Sequence, residues 1–330
     1  MRSQTQISQS QVIVPPPLQP GDLLRVIAPS GTLRELEPFQ QGIKIWRDRG
    51  YRVEVIPEID DRWGYLAGKD QDRRDRLKFA WQDAECKGIL CARGGFGSTR
   101  ILENWSWDWE EERQEGCGDA GTRGNKIPNN FSPSSLQPKW LIGFSDITAL
   151  LWSLYKVGIS GVHAPVLTTL AAEPEWSIQR LFDWVEGRSL PELQGKGWGG
   201  GTVSGTLLPA NLTVATHLLG TPYQPEFANV ILAIEDVGEA PYRIDRMLTQ
   251  WRMSGCLAKV RGIAVGRFSQ CEAPANIPSF TIAEVLREGL GNLNIPIVSD
   301  LAFGHDGCNA ALPVGIKATL DGDKGLLILN

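Results

Sequence analysis

The chain has 330 residues, 42% hydrophobic and 22% charged, a composition of globular domains and a length sufficient for two. A net charge of −5 and a pI near 5.4 give no general electrostatic reason to bind nucleic acid or an anionic membrane surface. No stretch approaches the roughly 20 apolar residues of a membrane span, none of the six cysteines forms a C-x-x-C pair, and three histidines leave no Cys/His metal cluster.

Residues 1–19 are polar and then proline-rich, and read as a flexible tail without the n-region and h-region of a signal peptide. With free thiols as the reading of the cysteines, a reducing, cytoplasmic location is the expectation. From residue 22 the chain alternates. "DLLRVIAPSG" is a buried strand ending in a Pro-Ser-Gly turn. "LEPFQQGIKIWRDRG" is a helix with Phe39, Ile43 and Trp46 on one face and Gly50 beyond its end. "YRVEVIP" is a strand, "DQDRRDRLKFAWQD" a charged helix with Leu77 and Trp81 four residues apart, and "CKGILCARGG" an apolar strand ending in a double glycine. The short apolar run "KWLIGF" leads into a helix from Ser145. This order predicts a parallel α/β sheet over 20–165. Residues 110–138 interrupt it with a Gly-, Asn-, Ser- and Pro-rich surface insertion. The "WSWDW" before it reads as helix-end packing rather than a stacking platform.

A helix, "EPEWSIQRLFDWVEG", and the turn "KGWGGGT" make 166–200 a linker, and 201–330 a second α/β domain. That domain holds a helical "NLTVATHLLG", the strand "NVILAIEDVGE", the helix "APYRIDRMLTQWRMSG", the loop "FGHDGCNAALPVG" and a closing hairpin turning at Asp321–Lys324.

Four stretches carry candidate chemistry. Ser145 opens a helix directly after a strand, a place that exposes a nucleophile beside free backbone N–H groups. A helix-opening Ser-Asp is also an ordinary cap, and the motif alone leaves both roles open. The paired glycines of "ARGGFGSTR", Gly94 and Gly95, let backbone approach a ligand, or form a plain strand–helix turn. Glu235 and Asp236 follow a hydrophobic strand: one could orient a histidine and the other cap the helix near Pro241. Arg243 and Arg246 lie on that helix, with ion pairing to Asp245 or Glu239 the favoured account. His305 sits in a Gly-rich loop, whereas His163 and His217 read as packing or hydrogen-bonding residues, with His163, near a strand end, a weaker site candidate. Ser145, Glu235 and His305 have the residue types of a triad, and the Asp146 N–H with the Gly94–Gly95 turn has the donors of an oxyanion hole.

Six ordered segments, "GDLLRVIAPSG", "GYLAGKDQDRRDRLKFAWQD", "ARGGFGSTRIL", "KWLIGFSDITALL", "IEDVGEAPYRIDRML" and "FGHDGCNAALPVG", resemble the LD-carboxypeptidases over about residues 20–320. This serine peptidase family includes the muropeptide-recycling enzyme and microcin-immunity proteins. The resemblance implies Ser145 as nucleophile, Glu235 as acid, His305 as base and an oxyanion hole at Asp146 and Gly94–Gly95. It also implies an N-terminal domain like that of class I glutamine amidotransferases, a smaller C-terminal α/β domain, a homodimer, and no metal or organic cofactor. The implied reaction is release of terminal D-alanine from a muropeptide tetrapeptide; a microcin-immunity-like amide hydrolase and a non-catalytic muropeptide-binding module are the alternatives. Where the family usually has Gly-Gly-Asn-Leu, this chain reads "LLPANLT", with Pro209 and Ala210 for the glycines.

Overall fold

The computed structural model of the protein describes residues 12–103, 105–107 and 138–330. Apart from Pro138, the insertion read at 110–138 lies outside the described residues, as does Trp109 of the aromatic run.

The first sheet comes from strands β1 (Leu23–Ile27), β2 (Arg52–Val55), β3 (Cys86–Cys91), β4 (Trp140–Gly143) and β5 (Val162–His163). They run parallel in the order β5-β4-β3-β1-β2. All of β4, and all of β3 but Lys87, is buried, the signature of parallel strands covered on both faces. Around them pack α1 (Leu36–Asp48), α2 (Asp70–Gln82), α3 (Ser98–Ile101) and α4 (Thr148–Lys156). Helix α1 buries Phe39, Ile43 and Trp46, the face its spacing predicts. Helix α2 buries Leu77 and Trp81 but also Arg73, whose guanidinium donates to the carbonyls of Pro29 and Gly97. A buried cation there satisfies two loops that follow β1 and β3. The chain leaves β1 for β2 on one side and reaches β3 on the other, so those two loops flank the switch point where α/β sheets open a crevice.

Residues 12–19 were expected as tail, yet they pack. Ile13 bridges to Ile159, Leu18 is buried, and Pro16 accepts from the Trp140 indole. Leu18 joins the first core, so this part of the tail packs against the first domain. The segment read as a linker contributes to both cores. Helices α5 (Leu167–Leu170) and α6 (Glu175–Val185) place Leu167, Leu170, Leu181 and Phe182 in the core of the first sheet. Strands β6 (Leu193–Gln194) and β7 (Lys196–Gly197) belong to the second sheet. Trp105 and Trp107 pack edge-on, and Trp107 meets Trp81 in the same way, as helix-end packing requires.

The second domain is built on β8 (Thr202–Asn211), β9 (Val230–Val237), β10 (Gly262–Ser269) and β11 (Ile297–Ser299), all parallel. Helices α7 (Leu212–Leu218), α8 (Pro241–Met253) and α9 (Ile282–Leu290) lie between them in the chain. The two residues of β12 (Leu312–Pro313) pair antiparallel with β5 and so extend the first sheet. The hairpin of β13 (Lys317–Asp321) and β14 (Leu326–Leu329) continues the second sheet beside β8. Its two edges are β6, paired with β14, and β7, paired with β11. Only Gly195 separates those edges in the chain, so one extended segment joins them and the sheet closes on itself, leaving little open edge. The five described cysteines are free thiols, and no described helix is long and apolar enough to cross a membrane.

Candidate active site

Strand β4 delivers the chain at Phe144 in extended form, and Ser145 then takes φ +61° before a short 3-10 turn, Ser145–Ile147, feeds α4. The left-handed region is uncommon for a residue with a Cβ, and such strain gathers at functional turns. The Ser145 hydroxyl faces a histidine: its Oγ lies 3.2 Å from His305 Nε2. Among the described hydrogen bonds it meets no helix N–H, so the turn, rather than a serine cap, opens this helix.

The glycine turn after β3 lies against that serine. A Cβ added to Gly94 would sit 3.1 Å from Ser145 Cβ, 3.2 Å from its Oγ and 3.7 Å from the Asp146 nitrogen. Only a residue without a side chain lets the backbone come this close. Gly95, at φ +110°, lines the same cleft as Ser145. The Asp146 side chain is itself engaged. Its buried carboxylate accepts from the Ser98 N–H at 2.8 Å, and the Ser98 hydroxyl donates to the Asp146 carbonyl. Two bonds thus tie the glycine turn to the serine turn. Burial raises the Asp146 pKa against the opposing pull of Ser30, Ser98 and Arg73.

Glu235 and Asp236 lie within β9, not past it, and both are buried. Glu235 Oε2 is 2.6 Å from His305 Nδ1. A carboxylate can only accept, so Nδ1 carries the proton and Nε2 is left to accept from Ser145. Burial alone would pull the imidazole pKa down. The hydrogen bond and charge of Glu235, with smaller help from Asp236 and Asp306, outweigh it and raise it. Side chains from both domains therefore form a continuous chain from Glu235 through His305 to Ser145.

Asp236 corrects one expectation. It caps no helix near Pro241; it accepts from the Thr213 N–H at 2.9 Å and hydroxyl at 2.7 Å, at the start of α7. Burial pushes it up to about 6. Between the two acids stands Asn211, a residue given no role from the sequence. Its Nδ2 donates to Glu235 Oε1 at 3.2 Å and Asp236 Oδ1 at 3.0 Å, and its Oδ1 caps α7 by accepting from Val214. The available signal was an Asn at the boundary between strand and helix. Arg243 pairs with Glu239 at 3.3 Å, one of the acids named from the sequence. His163 is wholly buried between Phe144 and Phe303 with no hydrogen-bond partner among the described residues, and burial lowers its pKa to about 4. His217 is exposed on α7 and reaches the Thr213 carbonyl. A cleft of about 290 Å3 opens on Ser145, walled by Phe96, Thr99, Thr213, His217 and Glu239 among others. The described residues hold no group of three or more metal-ligating side chains.

Two family models cover most of the chain: the LD-carboxypeptidase N-terminal domain matches residues 24–164 and the LD-carboxypeptidase C-terminal domain residues 204–320. The chain belongs to the LD-carboxypeptidase family. It is 55% identical to a putative carboxypeptidase of Synechocystis, across 95% of this chain and 96% of that protein. The crystal structure of muramoyltetrapeptide carboxypeptidase from Oxalobacter formigenes matches with a TM-score of 0.76 at 26% identity, covering 92% of this chain and 97% of that one. The structure of MccF in complex with glutamyl sulfamoyl guanosine matches with a TM-score of 0.77, covering 96% of this chain and 98% of that one; at 20% identity it shares the fold. Membership places the chain in a serine peptidase family of carboxypeptidases with the two-domain α/β architecture described above.

Proposed function

We propose that the chain is a serine LD-carboxypeptidase that releases the terminal D-alanine from a muropeptide tetrapeptide. The observation that carries this reading is the Glu235–His305–Ser145 hydrogen-bond chain at a strained turn on an open cleft. Kinship with a muramoyltetrapeptide carboxypeptidase supports the substrate class.

The proposed steps are these. Ser145 Oγ attacks the carbonyl carbon of the scissile amide as its proton passes to His305 Nε2. Glu235 holds the proton on Nδ1 and stabilises the imidazolium. The new oxyanion is met by the Asp146 N–H and an N–H of the Gly94–Gly95 turn. His305 returns its proton to the amine of D-alanine, which departs and leaves an ester on Ser145. Water attacks that ester with His305 again as base, and the shortened peptide leaves.

The expected result for Ser145→Ala is a loss of D-alanine release of at least ~10^3-fold, with binding of the tetrapeptide retained. Full activity in the variant, or none in the wild type, would sink the proposal. Cleavage of an aminoacyl sulfamoyl nucleoside in place of the tetrapeptide would replace it with the microcin-immunity-like reading. Trp105 and Trp107 are buried and offer no aromatic platform for such a nucleoside.

A further inference from the structure

His305 belongs to the second domain and Ser145 to the first, so a proton can pass between them only if the histidine loop is held against the first domain. Glu235 aligns the ring but comes from the second domain itself. The loop is not self-supporting: Asp306 and Cys308 sit at φ +68° and +51°, conformations that residues with a Cβ adopt at a cost and keep only when neighbours enforce them.

Those neighbours can be traced. The His305 carbonyl accepts from Ser269 Oγ at 2.9 Å. Buried Asn309 folds its Oδ1 back to the Gly304 N–H, also at 2.9 Å, closing the loop across the base of His305. Asn309 is itself gripped from the first domain at both backbone groups. Its N–H donates to Glu173 Oε2 at 2.7 Å, and its carbonyl accepts from Ser177 Oγ at 3.0 Å. Ser177 Oγ also lies 2.9 Å from the same Glu173 oxygen. Glu173 stands in the turn between α5 and α6, and Ser177 in the first turn of α6, which packs in the core of the first sheet. Glu173 accepts the Asn309 N–H, and the single proton of the Ser177 hydroxyl is shared between that same oxygen and the Asn309 carbonyl; burial raises the Glu173 pKa against the pull of these two bonds.

We propose that Glu173 is a positioning residue: with Ser177 it grips Asn309 from the first domain and thereby sets His305 against Ser145. It touches no reacting atom and acts through Asn309 and Gly304. The proposal rests on the triad reading above, and its test separates the two. Glu173→Ala is expected to lower kcat about 10- to 100-fold with KM within about twofold, because a displacement of the base of about 1 Å has that order of effect. Labelling of Ser145 by a fluorophosphonate, which needs the histidine but not the muropeptide, should slow by the same factor. The low-field proton resonance of His305 Nδ1–H should shift or broaden, while the circular dichroism spectrum stays that of the wild type. Glu173→Gln, which keeps an accepting oxygen, should restore most of the rate. Ser177→Ala, which removes one of the two holds, should lose about 3- to 10-fold, and it carries the test if Glu173→Ala does not fold. Unchanged labelling and an unchanged His305 resonance in the variants would overturn the inference. A wild-type serine that resists the fluorophosphonate would instead count against the triad, and the resonance would still decide the role of Glu173.

Discussion

Glu235 is fully buried, and its two oxygens have different partners: one holds the His305 N–H and the other accepts from Asn211. The consequence is a histidine whose charged form is favoured. If His305 is the base, activity needs its neutral form, so the rate falls as pH drops through its folded pKa. That acid limb of kcat/KM should therefore lie above about 6.5, the ordinary histidine value. Glu235→Gln removes the charge that raises the imidazole. It should move the limb to lower pH and cut kcat by about 10^3- to 10^4-fold, because an amide can donate to Nδ1 and so favours the wrong tautomer. A pH–rate profile of the variant measures both, and a limb that stayed in place would remove Glu235 from this role. The residue types of the site were legible because Ser, acid and His stood at ends of predicted strands or in a glycine loop. The role of Asn211 was not, since its donors and acceptors acquire meaning only beside Glu235 and Asp236, which lie 24 and 25 residues further along the chain.

At the scale of elements, strand–helix order and helix faces were readable from periodicity, as Phe39, Ile43 and Trp46 on α1 illustrate. The hydrophobic pattern of a helix records which side will meet a core and nothing about which core. That is why α5 and α6, read as part of a linker, pack with the first sheet, and why β6 and β7 close the second. The two turns that meet at Ser145 offer a test at this scale. Gly94→Ala places a methyl group 3.2 Å from the Ser145 hydroxyl oxygen. The serine or the glycine turn must yield by a few tenths of an ångström, which displaces the proposed oxyanion donors. We expect kcat/KM to fall about 10^2-fold or more, the order seen on losing one such donor, with the melting temperature within a few degrees of wild type. Steady-state kinetics and thermal melts on the same preparation decide it; a large stability loss with residual activity intact would show that the turn serves folding alone.

For the whole molecule, the junction of the two domains carries a pH-dependent element of stability. His163, on β5, is enclosed by Phe144 of the first domain and Phe303 of the second. Its folded pKa is about 4 against an unfolded value near 6.5, so between these limits the unfolded chain holds a proton that the folded chain does not. Its contribution is therefore fully present above pH ~6.5 and is lost as pH falls towards 4, by about 3 kcal/mol in all. His163→Leu should flatten that part of the stability curve, measured as urea midpoints between pH 7 and 4.5. Asp236, held up at about 6, pulls the other way in both proteins, so the difference between them isolates His163. Parallel curves for the two proteins would rule this element out.

By itself the sequence determined the α/β class, the faces of its amphipathic helices and the identities of the chemically capable residues, because these depend on neighbours within a few positions. The tertiary structure alone decided that Ser145 meets His305 across 160 residues of chain, that Asp236 serves α7 rather than α8, and that Asn309 is held by Glu173 from the other domain. Those contacts exist only once the two domains close over a core they share, and no local periodicity encodes how they do so. Ser145 shows both levels at once: the strand and the helix that flank it are written in apolar spacing, while its left-handed backbone and its histidine partner belong to the assembled domains.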